Sequence, residues 1–169
     1  MHVITNNTPL RYLVFLGYET ILRDLFTSLI VPQAVVHELQ HPKTPAHVRA
    51  WMASPPPWIE IRQPSLQPDA ALLQLGTGER ETLLLAQELH ADLVLIDERD
   101  AHNEAERRGF ATFGTLHILE MAAQQGLLDL PTALAQLATT TFYMDELLMQ
   151  DILARDAARR RQQVEKPYD

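Results

Sequence analysis

A short apolar run over residues 93–96 ends abruptly in three acidic residues, Asp97, Glu98 and Asp100. A run of this kind is typical of a strand that is buried on both faces of a parallel sheet. Open α/β sheets place their chemistry at the carboxyl ends of the strands, where carboxylates contribute little to packing. The run therefore favours a parallel α/β sheet and predicts a functional site at its carboxyl edge.

Other short apolar runs lie near residues 2–5, 28–31, 58–62 and 111–113, and helical patterns separate them. This alternation favours a mostly parallel sheet with helices on both faces. In the first helix we expect Thr8 as the N-terminal cap, with Pro9 in the first turn. With 169 residues, the chain is expected to form one domain.

The composition narrows the classes of function. The chain is 46% hydrophobic and 21% charged, which is typical of a globular protein. It contains no cysteine, so disulfides, thiolate zinc sites and cysteine nucleophiles are excluded. No apolar run approaches the ~20 residues of a membrane span, so we expect no membrane association and a cytoplasmic location.

The net charge of -8 argues against a protein that binds nucleic acid by broad electrostatic attraction. It does not exclude a nuclease, because bound metal ions locally invert the charge of clustered carboxylates. The basic residues concentrate near the C-terminus, at Arg155, Arg159, Arg160 and Arg161. We expect a solvated helix end there, and an RNA-contacting patch is the alternative.

Polar residues upstream extend the predicted site. Asn6 follows the first apolar run, and Glu38, Glu79 and Glu81 lie in helical segments. Together with Asp97, these hard oxygen ligands suggest a divalent-metal site of the phosphodiester-cutting kind. Glu79 and Glu81 are two residues apart, so on a regular helix their side chains diverge by about 200° and cannot both point into one site. Both residues stay candidates.

Each carboxylate also has a purely structural interpretation. Glu79 and Glu81 could favour the positive end of their helix, and Asp97 to Asp100 could cap the next one. Glu38 could pair with Lys43 on the surface. Taken singly, each of these carboxylates is accounted for by such a role.

A competing motif spans residues 37–41, which read HELQH. In zinc peptidases of the H-E-x-x-H type, two histidines one turn apart on a helix bind zinc and the glutamate activates water. Here Pro42 follows at once and ends the helix, so a continuing helix cannot supply a third ligand. We keep a zinc peptidase as a minor alternative, with His37 and His41 as its ligands.

Four segments together resemble PIN-domain proteins. They are ITNNTPLRYL, VPQAVVHEL, LGTGERETLLLAQEL and ADLVLIDERDAHNEAERRGF, and GTLHILEMAAQQGLL is similar to the closing strand-to-helix segment of that family. The resemblance covers most of the chain, from about residue 3 to about residue 128. It is strongest to a branch of predicted nucleic-acid-binding proteins that is related to VapC-type toxin ribonucleases.

The resemblance implies a three-layer α/β/α sandwich with a mostly parallel sheet, formed by a PIN-like domain over 1–140 and a helical extension over 141–169. It also implies a ribonuclease that depends on Mg²⁺ or Mn²⁺. The acidic positions of the family fall on Asn6, on Glu38, on Glu79 or Glu81, and on Asp97 with Asp100 nearby. Asp97 and Glu38 are the expected metal ligands, and Glu79 or Glu81 would orient the attacking water. Thr115 is a further candidate for a contact to phosphate or to metal-bound water.

One position departs from the family pattern. Asn6 stands where an aspartate is expected, and a neutral amide should weaken the binding of a divalent cation. The chain is then either a weakened nuclease or a binding module that does not cut. The expected partners are RNA, a small antitoxin protein and a second copy of the chain, and the apolar residues available for a protein partner or for core packing are Leu147, Leu148, Ile152 and Leu153.

Overall fold

The computed structural model describes residues 1–164, whose strands form one five-stranded parallel sheet. The strands are β1 (Val3–Thr5), β2 (Leu29–Pro32), β3 (Ile59–Arg62), β4 (Leu93–Leu95) and β5 (Thr112–Phe113). Their order across the sheet is β3-β2-β1-β4-β5, and all four neighbouring pairs are parallel. The predicted parallel sheet is confirmed.

Helices connect the strands. They are α1 (Asn7–Phe15), α2 (Glu19–Phe26), α3 (Gln33–Leu39), α4 (Ala46–Ala53), α5 (Thr77–Leu89), α6 (Arg99–Arg107), α7 (Thr115–Gln124), α8 (Leu130–Ala138) and α9 (Glu146–Val164). A 3₁₀ turn at Leu72–Gln74 lies in the long connection before α5. The first helix begins earlier than expected, since Asn6 and not Thr8 is the residue at its N-cap.

The strand order explains why helices cover both faces of the sheet. The chain moves in one direction from β1 to β3, returns to the other side of β1 at β4, and then continues outward to β5. Because parallel crossovers are right-handed, this reversal puts α1 and α2, which connect β1 to β2, on one face and α5 and α6 on the other. The result is the predicted three-layer α/β/α sandwich.

The layer between the sheet and α5 and α6 shows how burial holds the fold together. Ile4, Ile30 and Val94 lie side by side on neighbouring strands. They form one cluster with apolar residues of the helices, chiefly Leu83 and Ala101, and each member is at least 95% buried. The alternate residues of the same strands are also buried, which requires a covered second face.

By contact density the chain divides into two compact units, Met1–Thr115 and Leu116–Asp169. The first unit contains the whole sheet and α1–α6. The second contains most of α7 together with α8 and α9. The boundary predicted from the resemblance, between 1–140 and 141–169, stays a prediction. Among the helices of residues 1–164, none combines the length and apolar character needed to cross a membrane.

Ion pairs account for most of the basic cluster in the second unit. Arg155 makes two hydrogen bonds to Glu120, at 2.6 and 2.9 Å. Arg159 and Arg160 both pair with the buried Asp156. These arginines hold α9 together and attach it to α7, which supports the structural interpretation of the cluster. Of the apolar residues predicted on this helix, Ile152 is fully buried, Leu147 is exposed, and Leu148 and Leu153 are half-buried.

Candidate functional site

The carboxyl ends of the three strands on one side of the sheet bring distant residues together. Thr5 and Leu95 are in register, and the backbone N–H of Asn6 donates to the Leu95 carbonyl oxygen at 2.9 Å. On the far side of β4, the Ile96 amide donates to the Phe113 carbonyl oxygen at 2.9 Å. Residues 6, 97 and 114–115 therefore follow three adjacent strands at the same edge.

Asn6 is buried at this edge with an unpaired oxygen. It occupies the N-cap of α1, where asparagine is among the preferred residues, yet its side chain makes no capping hydrogen bond. The residue is 2% exposed, and Oδ1 is buried with no hydrogen-bond partner. A buried acceptor without a partner costs about 1–3 kcal/mol. Oδ1 is therefore available to a ligand that an amide oxygen can bind, such as a cation or a bound water.

Asp97 is held by the turn between β5 and α7. Oδ1 accepts the Thr115 backbone N–H at 2.9 Å, and Oδ2 accepts the Thr115 hydroxyl at 2.6 Å. A Cβ atom at Gly114 would lie 2.8 Å from Oδ1, so the close approach of the turn requires glycine. Thr115 fixes the orientation of Asp97, and its contact to phosphate or metal-bound water stays a prediction.

Glu38 connects three segments of the chain. Oε2 accepts the Asn7 side-chain amide at 3.0 Å, and Oε1 accepts the Gly78 backbone N–H at 3.0 Å. The alternative interpretation, a surface pair with Lys43, does not describe Glu38, because α3 directs its side chain toward α1 and α5. Both donors are uncharged groups. Neither can neutralise its charge, so Glu38 keeps the capacity to bind a cation.

Glu79 and Glu81 point to different neighbours, as their spacing on α5 predicted. Glu79 reaches back within its own first turn, where Oε2 accepts the Gly76 N–H at 3.0 Å. Glu81 accepts the Ala34 N–H at 2.8 Å and so caps α3 from a neighbouring helix. Glu79 also responds electrostatically to other acidic residues of the edge, which act on its pKa.

Burial raises the pKa of the Glu79 carboxyl above its ordinary value, and the hydrogen bond from Gly76 opposes this shift in part. The negative charges of Glu98, Glu38 and Asp100 raise this pKa further. These carboxylates, drawn from three helices or their caps, thus act on one another. Asp100 is exposed near the start of α6, at the rim of the edge.

The oxygen donors of the edge suit a hard divalent cation in their chemistry. Within residues 1–164, no three acidic or histidine side chains are grouped closely enough to hold a metal ion by themselves. Mg²⁺ needs no such group, because it keeps several waters and is commonly held through one or two carboxylates. Asp97 together with the unpaired Oδ1 of Asn6 fits this mode.

The HELQH segment does not form the arrangement that zinc peptidases use. Helix α3 ends at Leu39 with Gln40 as its C-cap, so His41 lies beyond the helix. His41 Nδ1 accepts the Lys43 N–H at 3.2 Å, while the exposed His37 contacts Gln33 on its own helix. The two histidines are therefore not presented one turn apart on a single helical face.

Three residues that support the site were missed from the sequence. They are Asn7, which binds Glu38, and Gly78 and Gly114, which permit the close approach of Glu38 and Asp97. The sequence did carry a sign of Gly78 and Gly114. In the segments GTGE (76–79) and FGT (113–115), a glycine stands directly before an acidic or hydroxyl residue. A glycine at the start of a helix can mark the close approach of another group.

The parallel sheet and the polar edge define an α/β/α sandwich protein whose oxygen ligands gather at the strand ends. A family model described as a PIN domain matches residues 2–157, so the chain belongs to the PIN-domain family. PIN domains are commonly nucleases. The resemblance drawn from the sequence is confirmed.

A solved structure shares the fold. It is a PilT N-terminus domain protein from the hyperthermophilic archaeon Sulfolobus solfataricus, with a TM-score of 0.51 and 15% sequence identity. The match covers 72% of this chain and 93% of that chain. No curated protein sequence matches the chain.

The contact between Gly78 and Glu38 predicts that the effect of Gly78→Ala on the free energy of unfolding depends on whether Glu38 is present. A Cβ atom at position 78 would lie 2.5 Å from Glu38 Oε1, so Gly78→Ala should lower the free energy of unfolding by about 1–3 kcal/mol. In a Glu38→Ala background the same change should be neutral or stabilising, because alanine is the better helix former. Urea denaturation of the four proteins measures both effects, and an equal cost in both backgrounds would contradict the contact.

The raised pKa of Glu79 predicts a pH-dependent gain in stability for Glu79→Gln. The ionised carboxyl is disfavoured in the folded state, so this penalty is absent below the ordinary value of 4.5 and develops as pH rises through the higher folded pKa. Glu79→Gln should therefore raise the free energy of unfolding at pH 7 and have no such effect below pH 4.5, as followed by urea denaturation at each pH.

Glu88 on the same helix provides a control of opposite sign. Hydrogen bonds from the Ser65 backbone and hydroxyl lower the pKa of the Glu88 carboxyl. Glu88→Gln should therefore reduce stability at pH 7, and the difference from wild type should shrink as pH falls through the folded pKa. A stabilising effect of both substitutions at pH 7 would indicate a general relief of net negative charge instead.

Proposed function

We propose that the chain is a ribonuclease that uses Mg²⁺ or Mn²⁺ at the carboxyl edge of its sheet. One observation carries the proposal: the buried, unpaired Oδ1 of Asn6 lies at the end of the strand next to the one that presents Asp97. Oδ1 of Asn6 makes no capping hydrogen bond to α1 and lies near a carboxylate that Thr115 orients, and both properties suit a cation-binding position. Family membership supplies the nuclease class.

Asp97, Asn6 and Glu38 would hold the ion, whose chemistry is to lower the pKa of a bound water and to offset charge on the phosphate. The protein contributes orientation. The backbone N–H and the hydroxyl of Thr115 fix both oxygens of Asp97. Glu79 would orient the attacking water, and its raised pKa makes the carboxylate a stronger proton acceptor than an ordinary glutamate. Asp100 at the rim would act through water.

A second candidate function is a PIN-fold module that binds nucleic acid without cutting it. The neutral side chain of Asn6 favours this alternative, since it removes one charge from the set that would hold the ion. Under either function, we propose a cytoplasmic location. A small antitoxin protein and a second copy of the chain are the proposed protein partners, and the exposed Leu147 on α9 offers an apolar contact for one of them.

Cleavage of a mixed-sequence RNA in Mn²⁺ tests the proposal. Wild type should cut, and Asp97→Asn should lose at least about a hundredfold in rate, because an amide cannot replace the charged ligand. Asp24→Asn, which changes a carboxylate remote from the carboxyl edge of the sheet, is the matched control and should cut as wild type does. Binding of RNA without cleavage by wild type would favour the non-catalytic module.

Restoring a carboxylate at position 6 should strengthen the binding of metal. Asn6→Asp should lower the Mn²⁺ concentration for half-maximal cleavage roughly tenfold, because charged oxygens hold divalent cations more tightly than amides. Without metal the added charge joins an acidic edge, so the Tm should fall. Added Mn²⁺ should then raise the Tm of Asn6→Asp more than that of wild type.

The exposed Asn103 on α6 supplies the control for this change, since Asn103→Asp adds the same charge away from the strand ends. An equal response of the two variants to Mn²⁺ would show that the effect is one of net charge and would count against a metal ligand at position 6.

A further inference from the structure

The acidic edge creates a difficulty for any polyanionic substrate. Glu38, Glu98 and Asp100 act on Glu79 with charges of the same sign. A phosphate that approaches this edge is repelled by the same carboxylates. A bound metal offsets part of the repulsion at the reacting phosphate, and the rest of the strand needs a cation from the protein.

Most arginines near the carboxyl ends of the strands already have a protein partner. Arg80 donates to the carbonyl oxygens of Leu72, Leu73 and Leu75, which places its guanidinium on the 3₁₀ turn. Arg62 pairs with Glu60 at 2.5 Å. The guanidinium of Arg11 lies over the ring of Tyr12, 5.8 Å from its centroid. The guanidinium groups of these three arginines therefore already have partners within the protein.

Arg99 differs from them. It is exposed, it follows Asp97 by two residues, and among residues 1–164 its guanidinium has no hydrogen-bond or ion-pair partner. Its sequence neighbours Glu98 and Asp100 are both acidic, yet it pairs with neither. Unlike Arg80, Arg62 and Arg11, it is therefore free to bind a ligand.

The position of Arg99 is also unfavourable for the fold. It is the first residue of α6, where the helix dipole favours anions and disfavours cations. An exposed cation at this end, without a carboxylate partner, contributes nothing evident to stability. Its presence beside Asp97 is therefore explained better by a bound anion than by the folding of α6.

We propose that Arg99 binds a backbone phosphate of single-stranded RNA beside the scissile position and so fixes the strand over Asp97. The inference rests on the proposed ribonuclease function. The planar guanidinium offers paired N–H donors that match two phosphate oxygens. The unpaired Oδ1 of Asn6, 2% exposed at the same edge, suits a cation and so marks where the ion that faces the reacting phosphate would lie.

The experiment measures the salt dependence of RNA binding for the full chain. Fluorescence anisotropy of a labelled single-stranded RNA in EDTA gives the affinity without cleavage, and KM and kcat are measured in Mn²⁺. Arg99→Gln should weaken binding about tenfold and reduce the slope of log affinity against log salt by about 0.7, the loss expected for one phosphate contact. KM should rise and kcat should change little, because Arg99 holds the strand without touching the reacting atoms.

Arg161→Gln is the matched control. Arg161 is also an exposed arginine with no partner among the described residues, but it lies in the last turn of α9 in the other unit. Both substitutions remove one positive charge, so equal effects would indicate net charge and would overturn the proposal. Arg99→Lys should keep the salt slope and recover part of the affinity.

The outcomes separate the inference from the function on which it rests. If wild type cuts RNA and Arg99→Gln retains its affinity, KM and salt slope, the role of Arg99 is refuted and the ribonuclease stands. If wild type neither binds nor cuts RNA, both fail. A fall in the Tm of Arg99→Gln would indicate a structural role, whereas we expect an unchanged or slightly higher Tm because the cation leaves the helix N-terminus.

Discussion

The parallel pairing of β1 with β4 is the constraint on which the site depends. Asn6 and Asp97 are far apart in the sequence. They follow neighbouring strand ends because Thr5 is in register with Leu95 and the backbone N–H of Asn6 donates to the Leu95 carbonyl oxygen. A slip of one residue in this ladder would reverse the faces of β4 and remove Val94 from the cluster that it forms with Ile4 and Ile30. The burial that fixes the register thus also fixes the distance between Asn6 and Asp97, and packing and chemistry are specified together.

Close approaches at the two glycines complete this arrangement. Gly78 lets Glu38 reach the first turn of α5, and Gly114 lets the β5–α7 turn reach Asp97. In both cases a carboxylate receives hydrogen bonds that orient it without cancelling its charge. Such support holds acidic groups near one another, and their charges add to the larger effect of burial in raising the pKa of Glu79. Proteins commonly accept such local conflicts at functional sites.

The sequence was sufficient for the strands and the order of the acidic positions, because apolar runs and their acidic ends are local signals. It was also sufficient to predict that Glu79 and Glu81 diverge, which follows from helix geometry. The sequence could not show that Glu81 caps α3 or that Thr115 orients Asp97. Nor could it show that Glu38 contacts Asn7 and Gly78. Each of these contacts depends on which elements pack beside one another. The end of α3 before His41 likewise depends on a turn that a five-residue pattern does not describe.

The position of Glu38 affects how mutational data on this site can be read. Its two oxygens tie the β1–α1 junction to the start of α5. Replacing it would leave the Asn7 amide and the Gly78 N–H without their acceptor, so the three segments would loosen together. Lost activity in such a variant would mix the absence of a ligand with a change in shape. At position 97 the amide analogue can keep Oδ1 as the acceptor of the Thr115 N–H, and its Nδ2 can donate to the hydroxyl oxygen of Thr115, which accepts as well as donates. Asp97 therefore offers the cleaner probe of chemistry.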